Sequence, residues 1–122
     1  DHEGRESSIK DSLTEWYSSH ALLRLKNKCS RYAKVLGVEP GSIKVDDYKT
    51  RWGSCSSSGN LSFNWRVILA PHSIVDYVVV HELCHILEHN HSDKYWKHVA
   101  NIIPNYKECR EWLKRHGAYL LV

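Results

Sequence analysis

At 122 residues and 14.2 kDa, the chain is long enough for one hydrophobic core and too short for two ordinary domains. Its 42% hydrophobic and 25% charged residues sit near globular averages and exclude a disordered or fibrous class. A formal charge of +3, spread along the whole sequence, gives only a weak nucleic-acid signal.

From the N-terminus, Asp1 to Ser7 are polar and read as a flexible end, with Ser8 able to cap a helix beginning after it. Ile9, Leu13, Trp16, Leu23, Leu25, Cys29, Tyr32, Ala33 and Leu36 recur largely at three- and four-residue steps, which predicts a long amphipathic helix ending at Gly37. Pro40-Gly41 marks a turn, and Ile43, Val45 and Tyr48 lie mainly on one side of an alternating segment, which fits a strand. Arg51 to Ser54 and Leu61 to Trp65 flank Cys55-Ser56-Ser57-Ser58-Gly59-Asn60, the composition of a hairpin. Pro71 offers a first helical position. The β-branched run Val78-Val79-Val80 favours a strand locally, but the segment Ile74 to Leu87 is longer than most strands and apolar all round, as a buried helix is. Asp76, His81, Glu82 and His85 interrupt it, and it falls short of a bilayer-spanning length, so no membrane span is expected. Ser92 and Asn105 start two more helices, ending near Ile103 and near His116. The order predicts an α+β single domain over residues 8–122, with a small, largely antiparallel three-stranded sheet, an N-terminal helix, a central helix and two C-terminal helices.

The chemistry concentrates in His81-Glu82-Leu83-Cys84-His85. Positions four apart on a helix are rotated by about 400°, so His81 and His85 share a face and can grip one ion, with Glu82 beside them. Imidazoles suit zinc, which acidifies a water molecule while a neighbouring carboxylate takes its proton, the parts of metal-assisted amide hydrolysis. Zn2+ is therefore the expected cofactor, His81 and His85 its ligands and Glu82 the general base. A third ligand is needed, and His91 is the leading candidate, with His89, Glu108 and Glu111 as alternatives. An uninterrupted helix would carry His91 about 80° off the ligand face and about 9 Å beyond His81. The helix must therefore break at His89 to His91, where Asn90 tolerates a left-handed backbone and Ser92 caps the next helix. The ligand spacing also matches that of metzincins, although their glycine is Glu88 here.

Lys49-Thr50-Arg51-Trp52-Gly53-Ser54-Cys55-Ser56 followed by Gly59-Asn60-Leu61-Ser62-Phe63-Asn64-Trp65-Arg66 resembles the YgjP-like metallopeptidase family. So do Ala70-Pro71 before Asp76 to His85, and Asn90-His91-Ser92 before Tyr95-Trp96. The match runs from about Ser8 to Gly117. The resemblance implies a zincin-like fold, zinc and peptidase activity, with His81, His85 and His91 at the family's ligand positions and Glu82 at its base. In such a fold the edge strand before the active helix would line the cleft, which makes Arg51, Trp52 and Ser54 candidates for binding an extended peptide. Structural roles for Arg51 and Trp52, an ion pair and core packing, weigh equally.

Among other residues, Cys84 reads as a buried filler, Asn64 and Asp93 as candidates to hold a ligand imidazole, and Tyr77, Tyr95 or His89 as candidate oxyanion donors. Cys55 lacks a basic neighbourhood that would favour its thiolate, and Trp96, Trp112 and Leu113 are most simply core. Cys29, Cys55, Cys84 and Cys109 form no C-x-x-C pair, and no secretory signal pattern stands at the start, so free thiols and a cytoplasmic location are expected. Expected partners are a peptide or protein substrate, no membrane, and no second subunit. The alternatives are a non-catalytic zinc-stabilised binding module, for which Glu82 would be superfluous, a hydrolase of non-peptide amides, and an SprT-like DNA-associated protease.

Overall fold

The computed structural model of the protein describes residues 2–48 and 51–121, so Lys49 and Thr50 of the family-like string lie outside the described residues. Helix α1 spans His2–Leu36. Residues 2–7 therefore carry helical backbone, and Ser8 lies within the helix instead of capping it. The helix stops at Gly37, whose φ of 72° is the left-handed conformation that an L side chain would resist. Val38 donates its N–H to the Ala33 carbonyl at 3.0 Å, closing the helix end.

The face that α1 buries matches the expected one at Leu25, Cys29 and Ala33 but not at Leu13, Trp16 and Leu23. Ala21, Leu25, Cys29 and Ala33 form the buried row, whereas Leu13, Trp16 and Leu23 are exposed. A row at four-residue steps is one of the ridges by which helices pack across each other, and Leu23 stands about 200° around from both Ala21 and Leu25. Helix α2, His72–Leu87, receives that row. Its Val75, Val79, Val80 and Leu83 are fully buried, so packing on every side overrides the strand preference of the valine run. Pro71 precedes the helix as its N-cap, with ψ 151°, one residue earlier than expected. Lys28 of α1 donates to Asp76 of α2 at 2.6 Å, tying the helices outside the apolar row.

Strands β1 (Ile43–Asp46), β2 (Gly53–Cys55) and β3 (Leu61–Asn64) form a sheet of order β1-β3-β2. The expected hairpin is present, with Gly53 opposite Phe63 and Cys55 opposite Leu61. The β1–β3 pairing is parallel, however, so the sheet is mixed rather than largely antiparallel. The connection after β1 carries the chain to the far edge, and the hairpin then returns β3 between the other two strands in the direction of β1. Every residue of β3 is buried, as befits the central strand, and β2 is left at an edge. Asn64 ends β3. Its amide donates to the carbonyls of Tyr48 and Arg51 at 2.8 and 3.3 Å and accepts from the Arg66 N–H, capping a 3-10 helix, Trp65–Leu69. These bonds commit Asn64 to the backbone and not to an imidazole.

Helix α3 spans Asp93–Ile102, with Ser92 accepting from the Tyr95 N–H as its cap. Helix α4 spans Tyr106–Leu121 and continues through Gly117, past the expected stop at His116. One glycine costs a helix only about 1 kcal/mol. No helix among the described residues is long and apolar enough to cross a membrane. All four cysteines are free, and Cys84, completely buried with its thiol pushed up to about 12 by burial, is the filler expected.

Leu25 is the centre of the α1 ridge and has no exposed surface. Leu25→Ala should lower unfolding stability by about 2–5 kcal/mol through lost burial and a residual cavity. Denaturant titration followed by far-ultraviolet circular dichroism checks it, and Leu23→Ala, on the exposed side, should stay within about 0.5 kcal/mol.

Candidate active site

Helix α2 ends at Leu87 because Glu88 turns extended, with φ −140° and ψ 114°, while its N–H still bonds the Cys84 carbonyl at 3.0 Å. The break falls where His91 requires it, but not by the expected device. No described residue other than glycine has a positive φ, so Asn90 is not left-handed and extended backbone at Glu88 makes the turn. Five residues after Leu87, Ser92 caps α3, leaving His91 in the short bridge between the helices.

The outcome is convergence. One ring nitrogen each from His81, His85 and His91 lies within 4.8 Å of the other two. The group does not include His89, Glu108 or Glu111, the alternatives for a third ligand. A tetrahedral cation with bonds of about 2.0–2.1 Å needs its ligands about 3.4 Å apart, a contraction within reach of small side-chain rotations. The ring chemistry suits this. His85 Nδ1 lies 3.1 Å from the Glu88 carbonyl, which can only accept, so Nδ1 carries the proton and Nε2 keeps a free lone pair. His81 Nδ1 is engaged by the Tyr77 hydroxyl at 3.2 Å. Burial, reinforced by the neighbouring His85, His91 and Arg110, lowers His81 from 6.5 to about 3, and burial lowers His85 as well. Three imidazoles, with burial favouring the uncharged form of His81 and His85, are a donor set that fits a divalent cation of zinc's class.

Aromatic rings hold the three imidazoles in place. Tyr95, fully buried, stacks on His85 at 4.6 Å and meets His91 and His81 edge-on at 5.0 and 5.6 Å. Its hydroxyl donates to the His81 carbonyl at 2.8 Å, fastening α3 to α2 and occupying the group that was a candidate oxyanion donor. Trp96 is half-buried against the core, as expected, and also stacks on His91 at 5.5 Å. Asp93, exposed in the first turn of α3, and His89, exposed before it, stand outside this arrangement.

Glu82 is 6% exposed and points toward β2. A β-carbon at Gly53 would come within 3.1 Å of Glu82 Oε2 and 3.1 Å of the Ser62 carbonyl, so the bare glycine makes the space that the carboxylate occupies. Burial pushes the Glu82 carboxyl up from 4.5 to about 7, against a smaller opposing pull from Arg51. The open side of Glu82 faces a cavity of about 330 Å3 lined by Arg51, Trp52, Gly53 and Tyr77, among others. Arg51 and Trp52 thus stand at the cleft, with the Arg51 guanidinium 4.3 Å from the Tyr48 ring centroid. Ser54 does not line the cavity. Strand alternation turns its side chain to the face opposite Gly53. Cys55 is partly exposed, and burial followed by the nearby Glu82 raises its thiol, which keeps it protonated and a poor nucleophile. Arg110 of α4, which also lines the cavity, was not singled out by the sequence, because nothing local marks one arginine among the basic residues of a helix.

The architecture is that of metallopeptidases. It is similar to the crystal structure of the metallopeptidase zymogen of Pyrococcus abyssi abylysin, at TM-score 0.66 and 20% identity over 74% of this chain and 93% of that one. It is equally similar to the metallopeptidase zymogen of Methanocaldococcus jannaschii jannalysin, at TM-score 0.66 and 21% identity over 75% and 94%. The YgjP-like metallopeptidase domain matches residues 1–116, and the chain belongs to that family. No curated protein sequence matches it.

The Glu82 niche can be tested in two ways. Gly53→Ala should displace the carboxylate and cut any hydrolytic turnover by at least about tenfold, while far-ultraviolet circular dichroism stays unchanged. The second test concerns pH in metal-free protein. Because folding raises the Glu82 pKa from 4.5 to about 7, the folded chain holds a proton that the unfolded chain has released in that window. Stability attributable to Glu82 therefore falls as pH rises through it. Glu82→Gln, relative to the parent, should gain nothing below pH 4.5 and a growing advantage up to about pH 7, on the order of 3 kcal/mol, read from urea midpoints in chelator.

Proposed function

We propose that the chain is a zinc-dependent peptidase in which His81, His85 and His91 hold the ion and Glu82 is the general base. The observation that carries this is three converging imidazoles beside a buried carboxylate that opens onto a cleft. A structural zinc site has no use for such a carboxylate. Bound by these imidazoles, zinc would supply a Lewis acid that acidifies a water molecule and polarises a carbonyl. Glu82 accepts the water's proton on its carboxylate and later delivers it to the leaving nitrogen, for which burial near neutral pKa prepares it. Tyr77 and the Glu88 carbonyl hold the rings of His81 and His85. Gly53 sets the position of Glu82.

The substrate binds as an extended strand along the outer edge of β2, its main chain pairing with Gly53–Cys55 and its side chains entering the cleft between Arg51 and Trp52. Ser54 contributes through its backbone, since its side chain faces away. The support for this is that β2 is an edge strand whose inner side is already paired with β3. We place the protein in the cytoplasm as a monomer, in keeping with its free thiols.

Elemental analysis of the purified protein should find one zinc per chain, lost on His85→Ala and on acidification, because protons compete for imidazole. Glu82→Gln should keep the zinc and lose at least about 100-fold in peptide hydrolysis. Turnover retained by Glu82→Gln would remove the general-base role, and a metal-free protein that still cleaves would remove the zinc.

A further inference from the structure

The cavity beside Glu82 is built from two different chemistries. Trp52, Tyr77, Val78 and Leu113 give it apolar walls, and Arg51 and Arg110 bring arginine side chains to it from two different elements, one ahead of β2 and one on α4. Glu82 is the carboxylate of the lining, and it is committed to the reaction. Among the residues whose side chains the structure describes, the ion pairs involve Lys28, Arg31, Arg66, Lys94 and Arg115 but neither Arg51 nor Arg110.

Aromatic rings hold both guanidiniums instead. Arg110 sits 4.6 Å from the ring centroid of Trp96, the residue stacked on His91 at 5.5 Å, so its charge is anchored to the same framework as the imidazoles. Arg51 sits 4.3 Å from the Tyr48 ring centroid. Stacking on a ring satisfies the flat face of a guanidinium and leaves its in-plane N–H donors unused, the fork that matches a carboxylate in bidentate fashion. Lys107 and Lys114 flank Arg110 at the mouth of an adjoining depression, and Glu111 beside them is already engaged by Arg115 at 3.3 Å. The positive field therefore extends outward from the cleft.

Resting on the peptidase reading above, we propose that this cavity is a specificity pocket for a substrate carboxylate, recognised by Arg110 together with Arg51. The apolar walls contact the methylene stem of an acidic side chain, while both arginines stay exposed at the mouth of the cavity. Two sources present this chemistry to the pocket, an Asp or Glu side chain within the peptide and the carboxylate at a peptide's end. Arg110 is thus a specificity residue and not part of the bond-breaking machinery.

The test uses the zinc-loaded full chain and a set of peptides in which Glu, Gln or Leu is moved through successive positions, each with a free or an amidated C-terminus. Binding is measured by calorimetry on Glu82→Gln protein, which does not consume the peptide, and kcat/KM on the parent. One Glu position should bind about tenfold tighter than Gln or Leu there, and the preference should shrink as salt is raised from about 50 to about 500 mM. Arg110→Gln should abolish the preference, Arg110→Glu should turn it toward Lys at that position, and Arg115→Gln on the same helix should leave it intact. A preference that survives amidation identifies an internal acidic residue, and one that vanishes identifies the terminal carboxylate. Gln or Leu binding as tightly as Glu at every position, with free and amidated ends alike, would overturn the proposal, as would a preference unaffected by Arg110→Glu. Acid-selective binding without cleavage would remove the peptidase reading alone, whereas cleavage without acid selectivity would remove this inference alone.

Discussion

Helix α2 is apolar nearly all the way round, and it carries a glutamate and two histidines into surroundings that disfavour their charges. Much of the remaining structure answers that constraint. Burial against the α1 ridge of Ala21, Leu25, Cys29 and Ala33 fixes the back of the helix, which leaves the face bearing His81, Glu82 and His85 directed at β2 and α3. The two imidazoles on that face then meet specific partners, and the carboxylate meets a shaped niche. Glu82 fits a niche that exists because Gly53 has no side chain, His85 gives its Nδ1 proton to a carbonyl one turn on, and His81 meets the Tyr77 hydroxyl. Burial without such partners would cost several kcal/mol per group.

The break after Leu87 is the second requirement, and it is achieved by ordinary means. The Glu88 carbonyl leaves the helical direction in extended backbone and becomes the acceptor for His85, so the residue that ends the helix also fixes the tautomer of its last imidazole. Ser92 restarts the chain as a helix, which brings Tyr95 and Trp96 back over the same imidazoles. Helix termination, ring orientation and helix docking are thus one local event spread over about two turns of chain.

The same division between local and distant interactions governs how much was legible in the sequence. The spacing of His81, Glu82 and His85 expresses helical periodicity directly, and the need to recover His91 through a break comes from the same geometry, so both could be read. The hairpin was legible because its turn residues are local signals, and α2 because length outweighed the valine run. The parallel β1–β3 pairing was not, since it depends on which edge the chain reaches after Asp46. The buried face of α1 was legible in part, at Leu25, Cys29 and Ala33, but Leu13, Trp16 and Leu23 proved exposed because the position of α2 decides which residues it covers. Gly53, Trp96 and Arg110 were missed for a common reason. Each acts on a residue distant in sequence, Glu82, His91 and the cleft, and no pattern within its own segment records that.

Ring packing also explains how so small a domain can position its imidazoles without supporting carboxylates. A carboxylate partner would bring another buried charge into a site already built around Glu82, and with it a desolvation cost of several kcal/mol. Tyr95 and Trp96 orient the same rings by shape, adding apolar area where a short chain has little to spare. The carbonyls of His81 and Glu88 accept the directional bonds, from the Tyr95 hydroxyl and from His85 Nδ1, at no cost in net charge. A divalent cation arriving there would meet three imidazole donors and, beside them, the one buried carboxylate of Glu82. That arrangement would favour binding while leaving a cation enough residual positive charge to polarise a carbonyl.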